Sequence, residues 1–394
     1  MAAPFTDAIP SEFGHAADAS TANGPPGRLV EPPAGRADGE GPAGAAIVSD
    51  TSLDTDGQRG SDYAELSRLV RAAGLLGRRR RHYAVRVGLV VGSFAALCAL
   101  FVRLGESWRQ LGVAVVLAAV FAQAGFIGHD AGHRQIARSR RANDLIGIVH
   151  GNLLTGISYG WWVDKHNRHH AHPNTEGKDP DISVAPLSFT ADQARRRRGL
   201  GALLVRYQAY LFFPLLLLEG LHLHANSVKA VLGPRRLAHR PAEAGLLALH
   251  LGGYLTAVFL VLNPAQAVAF VLVNQGVLGL YLGCSFAPNH KGMPILGADD
   301  NLDYLRRQVL TSRNVRGGRV LDIVLGGLNY QIEHHLFPSM PCPNLRRARP
   351  LITRFCAEHD IDYRETTLGR SGAEVLRHLN DVGSPAPPTG VAVR

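Results

Sequence analysis

Residues 111–133 read LGVAVVLAAVFAQAGFIGHDAGH. From Leu111 to Gly128 the run is apolar and close to the roughly 20 residues that a helix needs to cross a hydrocarbon layer. Two histidines, His129 and His133, follow four residues apart, so a helix carries their rings one above the other on one face. The stretch therefore reads as a membrane span that ends in imidazoles.

Three further apolar segments have a similar length, Tyr83 to Leu104, Ala244 to Leu262 and Ala265 to Cys284. They pair into two hairpins, the second turning on Asn263 and Pro264, a helix-breaking pair that leaves almost no outer loop. Arg103, Glu106 and Arg109 mark the first outer loop, whereas Arg134, Arg138, Arg140 and Arg141 follow the second span. The heavier basic side faces the cytosol by the positive-inside rule, and the histidines lie on it. The expected fold is an all-α, multi-pass membrane bundle of four transmembrane helices in two hairpins. Interfacial helices and a cytosolic helical cap carrying the metal site complete it, in the cytoplasmic membrane.

A fifth apolar stretch, Leu203 to Leu221, contains Arg206, Pro214 and Glu219, each costly in a bilayer core. Counting it as a span would put three crossings between the earlier histidines and His290. Two parts of one site need an even number, so the stretch is expected to form an interfacial helix on or dipping into the membrane.

Residues 1 to 60 are rich in Ala, Gly, Pro, Ser and Asp and are expected to be a disordered tail. They lack the charged, apolar and small-residue succession of a secretory signal. The main domain is expected over residues 61–361, followed by a polar extension over 362–394 that is loose from Gly383 to Arg394. A net charge of +10 raises nucleic acid as a partner, but the basic residues bunch beside apolar stretches, as in Arg78 to Arg81 and Arg195 to Arg198. That placement suits an anionic lipid surface and no nucleic acid; solvated basic faces are the plainer alternative. Cys98, Cys284, Cys342 and Cys356 are scattered, which argues against a disulfide framework and for a reducing compartment.

Seven of 18 histidines fall in three groups: HDAGH at 129–133, HNRHH at 166–170 and QIEHH at 331–335. His166, His169 and His170 use the three-and-four spacing of one helix face, and Gln331, His334 and His335 repeat it with glutamine in first place. Seven imidazoles exceed the four or so ligands of one zinc ion, and imidazole equally suits Zn, Cu, Fe and Ni. Soluble di-iron bundles use Glu-x-x-His pairs, so histidine here stands where glutamate would.

These boxes, their order and the two-hairpin layout resemble the membrane fatty acid desaturase family, from about Tyr83 to Ile361. Supporting strings are Gly151 and Asn152, Gly160 to Trp162, Lys165 to His172, Asp179 to Asp181, and His335 to Pro338. The resemblance implies two iron ions, molecular oxygen as co-substrate and removal of two hydrogens from an acyl-CoA or acyl-lipid chain. It also implies a further ligand after the last span, where FAPNH places His290. The implied metal set is His129, His133, His166, His169, His170, His290, His334, His335 and Gln331, the glutamine acting directly, through water or by hydrogen bonding. A glutamine-led third box is similar to front-end and actinobacterial-type members.

Ligating histidines need acceptors that fix their tautomers, and Asp130, Asn152, Asp164, Asp179, Asp181 and Glu333 are candidates, with ordinary caps and surface acids as the alternative. His150 and His172 stay open between the two roles. His222 and His224, two apart on divergent faces, are read as non-ligands, and Trp161 and Trp162 as lining the acyl path or anchoring the interface. No HPGG string of a fused haem domain is present, so a separate ferredoxin or flavoprotein reductase is the expected electron donor. Two rivals remain at this point. A lipid or carotenoid hydroxylase or ketolase would use the same boxes, and a non-catalytic metal-handling protein would carry acids or histidines inside its spans, which hold little beyond Arg86 and His250.

Overall fold

A computed structural model of the chain describes residues 55–384; the rest of the expected tail and nearly all of the loose terminus lie outside the described residues. Helix α1 (Thr55–Ala72) starts inside the stretch expected as tail, and its Leu66 and Val70 enter an apolar core. Helices α2 (Arg80–Leu104) and α3 (Gln110–Gly132) form the first hairpin. His129 thus lies within α3 and His133 caps its end.

Helix α4 (Arg140–Ile148), capped by Ser139, runs into a π-helical turn at Val149–Thr155. It lies so close to α3 that a Cβ on Gly128 would sit 3.5 Å from the Gly151 nitrogen. Gly156, at φ +79°, ends the turn and sends the chain back as α5 (Tyr159–Ala171), which carries the second histidine box. The carbonyls exposed at this reversal are met by His250, donating to Leu153, and His224, donating to Gly156, each at 2.8 Å. Buried backbone acceptors inside an apolar bundle need such partners.

A short 3₁₀ turn at Pro180–Ile182 leads to α6 (Ala191–Arg196), α7 (Leu200–Arg206), α8 (Gln208–Leu216) and α9 (Glu219–Leu232). The single interfacial helix expected over Leu203 to Leu221 is therefore three pieces, and α8 meets α9 at a bend of 68°. The bend has a steric partner. Gly220 and Gly279 let this corner pack backbone to backbone on the fourth span, and a Cβ on Gly220 would lie 2.8 Å from the Gln275 carbonyl.

The second hairpin is α10 (Arg240–Val261) and α11 (Pro264–His290). Asn263 caps α11 and donates to Glu106, tying the two outer loops at 2.7 Å. Among the described residues, α2, α3, α10 and α11 are the four single helices long and apolar enough to cross a membrane. Because α5 and the end of α11 meet, an even number of crossings separates them, and the bent α8–α9 pair enters and leaves on one side.

The remaining chain forms a cap: α12 (Tyr304–Leu310), β1 (Asn314–Arg316), α13 (Arg319–Val324), α14 (Gln331–Leu336), α15 (Cys342–Glu358), β2 (Glu365–Thr367) and α16 (Leu368–Gly383). The strands are three residues each and pair in parallel. Most of the polar extension is thus folded. Helix α16 buries Val375 and Leu379, and the buried Arg313 guanidinium pairs with Glu374 while its Nε donates to the Pro288 carbonyl at 2.6 Å. Two cores result. Between the spans, Ala114, Ala118, Ala122 and Ala267 let helices approach closely, as packing in lipid requires. Under the cap, Leu305, Ile332, Ile352 and Phe355 are withdrawn from water, each worth about 1.5–3 kcal/mol.

Candidate metal centre

Four elements bring the histidines to one end of the bundle: the end of α3, all of α5, the last residue of α11 and α14. Helix α5 is held at its base by the Ser158 cap and by buried Glu243, which accepts from the Ser158 hydroxyl at 2.6 Å and the Gly160 amide at 3.1 Å. Pro288 does not end α11, so that helix continues to His290 and delivers its ring.

The rings form two groups. His129, His133, His166 and His334 offer donor atoms within 4.8 Å of one another, and so do His169, His290 and His335. His170 lies between, its Nε2 3.1 Å from that of His166 and its ring stacked 4.1 Å from His335. The sequence pattern places each box on one helix face, but the structure divides the second and third boxes between the groups. That division leaves two clusters of ring nitrogens, each of which could hold a metal ion.

Four of the eight rings are oriented from behind. His129 donates from Nδ1 to Asp130 at 3.0 Å, and Asp130 also takes Arg86 at 2.9 Å and the Tyr83 hydroxyl at 3.2 Å. His169 Nδ1 faces Asp179 at 3.0 Å and Asp181 at 3.6 Å, and Asp181 is paired with Lys165. His290 Nδ1 donates to the Thr311 carbonyl at 3.0 Å, and His335 Nδ1 to Gln308 Oε1 at 2.8 Å. Each of these bonds leaves Nε2 for the centre.

Three of the expected orienting residues do other work. Asn152 binds the backbone of Tyr159 and reaches Glu243, Asp164 sits at the surface with Arg235, and Glu333 is held by Tyr363 and Asn314. None of the three hydrogen-bonds a clustered ring, because each side chain points away from the centre. His150 bonds the Ile146 carbonyl, and His172, His222 and His224 do not join the groups. His250, inside α10, is committed to a carbonyl. Gln331 is buried, its amide nitrogen 2.9 Å from His290 Nε2 and its oxygen accepting from Asn289. Trp162 stacks on His166 at 4.3 Å, while Trp161 packs into the core between the spans. Gln308, Thr311, Tyr83 and Glu243 were invisible as site residues, since a lone amide, carbonyl, phenol or carboxylate carries no spacing signal.

Burial, reinforced by neighbouring rings, holds His133, His166, His170, His334 and His335 well below the usual histidine range. The rings are therefore neutral at pH 7, the state a metal needs. Glu333 is shifted upward by burial, against the hydrogen bonds of Tyr363 and Asn314. The donor set fits a metal on independent grounds. Nε2 of His129, His133 and His335, Nδ1 of His170 and both nitrogens of His334 are buried without a hydrogen-bond partner. Each such atom costs about 1–3 kcal/mol when left unmet, a cost that coordination removes.

Comparison with known proteins gives a consistent picture. The family described as fatty acid desaturase matches residues 106–367. An acyl-lipid (9-3)-desaturase of Physcomitrium patens is 30% identical over 82% of this chain and 63% of its own length. A delta(8)-fatty-acid desaturase of Euglena gracilis is 32% identical over 68% of this chain and 66% of its own. A delta(5) fatty acid desaturase of Caenorhabditis elegans is 29% identical over 78% and 70% respectively. The chain thus spans 63 to 70% of the length of these relatives.

Proposed function

The chain belongs to the fatty acid desaturase family, and from that premise we propose that it is an oxygen-dependent fatty acyl desaturase working at a centre of two iron ions. The observation that carries this reading is the pair of buried histidine groups with their unmet ring nitrogens. His129, His133, His166 and His334 would hold one ion and His169, His290 and His335 the other, with His170 beside both. Bound there, the irons would supply oxygen activation and the removal of hydrogen from an unactivated C–H bond. The overall reaction takes O₂, two electrons and two protons with two hydrogens of the chain, and yields one C=C bond and two waters.

The protein's own residues set the conditions. Asp130, Asp179, Gln308 and the Thr311 carbonyl fix tautomers, so that each Nε2 is turned to the centre and the rings cannot swing. Trp162 covers His166 and keeps water from that side. Gln331 is placed to hold His290 or to turn its oxygen inward as a ligand. Arg134, Arg138, Arg140 and Arg141, at the histidine-bearing end, support a cytosolic site in the cytoplasmic membrane. A ferredoxin or flavoprotein reductase is the proposed donor, and an acyl-lipid or acyl-CoA the substrate. The names of the relatives, together with the glutamine-led box, favour a new double bond toward the carboxyl end.

The test is expression in a host without desaturases, with double-bond positions read by mass spectrometry. A new double bond is expected in the host's acyl chains. An added oxygen atom would replace this reading with the hydroxylase or ketolase, and unchanged lipids despite a metal-loaded protein would remove it.

A further inference from the structure

Beside the histidine-bearing end of α2 lies a cavity of about 360 Å³ that none of the eight clustered histidines lines. Its walls are mostly apolar, from Ala84 and Val87 on α2, Ile136 in the following loop and Ile146 on α4. Two exposed arginines also line it, Arg80 and Arg138, and among the described residues neither has an ion-pair partner. Arg80 is the first residue of a membrane span, the level at which phosphates of a bilayer lie.

A second observation points to a ligand. His150 lines the same cavity, is only 4% exposed and donates from Nδ1 to the Ile146 carbonyl at 2.8 Å. Its Nε2 is buried and has no partner. With Nδ1 carrying the proton, Nε2 is an acceptor that waits for an O–H or N–H group. An apolar trench, two unpaired guanidiniums and one buried acceptor together describe an anionic amphiphile with a hydroxyl. A choline headgroup offers no such donor.

We propose that this cavity is a resident site for one anionic, hydroxyl-bearing phospholipid, its chain in the trench and its phosphate between Arg80 and Arg138. None of the clustered histidines lines the site, so the proposal does not depend on the reaction. It nevertheless touches the centre, because Tyr83 forms part of the wall while its hydroxyl binds Asp130, the carboxylate that orients His129.

The experiment uses the full chain, purified in mild detergent and exchanged against vesicles of phosphatidylglycerol or phosphatidylcholine, with retained lipid counted by native mass spectrometry. The wild type is expected to keep about one phosphatidylglycerol per chain and at least tenfold less phosphatidylcholine. Arg80→Gln combined with Arg138→Gln should cut phosphatidylglycerol retention about tenfold, and Ala84→Trp, at an exposed position, should abolish retention of either lipid. Equal retention of the two lipids by the wild type would overturn the proposal without any variant. So would undiminished phosphatidylglycerol in variants that keep the wild-type metal content. A non-desaturating but lipid-loaded protein would count against the proposed reaction alone.

Discussion

The two histidine groups differ in how they are held. In the group of His169, His290 and His335 every ring has its Nδ1 engaged, by Asp179, the Thr311 carbonyl and Gln308. In the group of His129, His133, His166 and His334 only His129 is oriented this way, by Asp130, and His334 has neither nitrogen engaged. One position is built rigidly from three rings, and the other gathers four rings with less support. Preorganisation and ligand number trade against each other, so the second position should depend more on the metal itself for its order.

The largest expected effect is direct loss of a ring. His334→Ala and His335→Ala should each lower activity by at least about 100-fold, as ligand loss exceeds the effect of outer partners. Metal analysis sharpens the comparison: each variant should retain about one ion of the two, from opposite groups. Next, Asp179→Asn should weaken metal binding about 10- to 100-fold, and Asp130→Asn should do the same while also leaving Arg86 unpaired. Equal metal loss from both groups in Asp179→Asn would break the distinction drawn above. Gln308→Leu should cost about tenfold at the lower end of that range, with His335 the ring that loosens. Gln331→Ala separates its two roles, since a ligand would cost an ion and a hydrogen-bond partner only some activity. The smallest effect belongs to Asp164→Asn, whose surface pairs are worth about 0–1 kcal/mol and whose metal content should equal that of the wild type.

Much of this is legible in the amino-acid sequence alone. Helical spacing announces rings on one face, and apolar runs of span length announce crossings, so the bundle and its three boxes could be read directly. The resemblance to the desaturase family pointed to His290, and an even crossing count agrees with it. The division of boxes between two groups could not be read, because spacing along one helix says nothing of what faces it across the site. Asn152, Asp164 and Glu333 looked like orienting partners by type and proximity, yet direction decides that role. Leu203 to Leu221 was misread as one helix since its composition does not reveal the backbone contact of Gly220 and Gly279 that bends it.

Helix α5 gives one ring, His166, to the first group and another, His169, to the second. Three residues along a helix are about 4.5 Å of axial travel. The offset between those two residues is thus a property of the helix itself, indifferent to how the spans breathe around it. Its foot is clamped by Glu243, which belongs to a span. A change in the tilt of that span would move the helix as a whole, re-aiming both donors together while leaving their mutual spacing untouched.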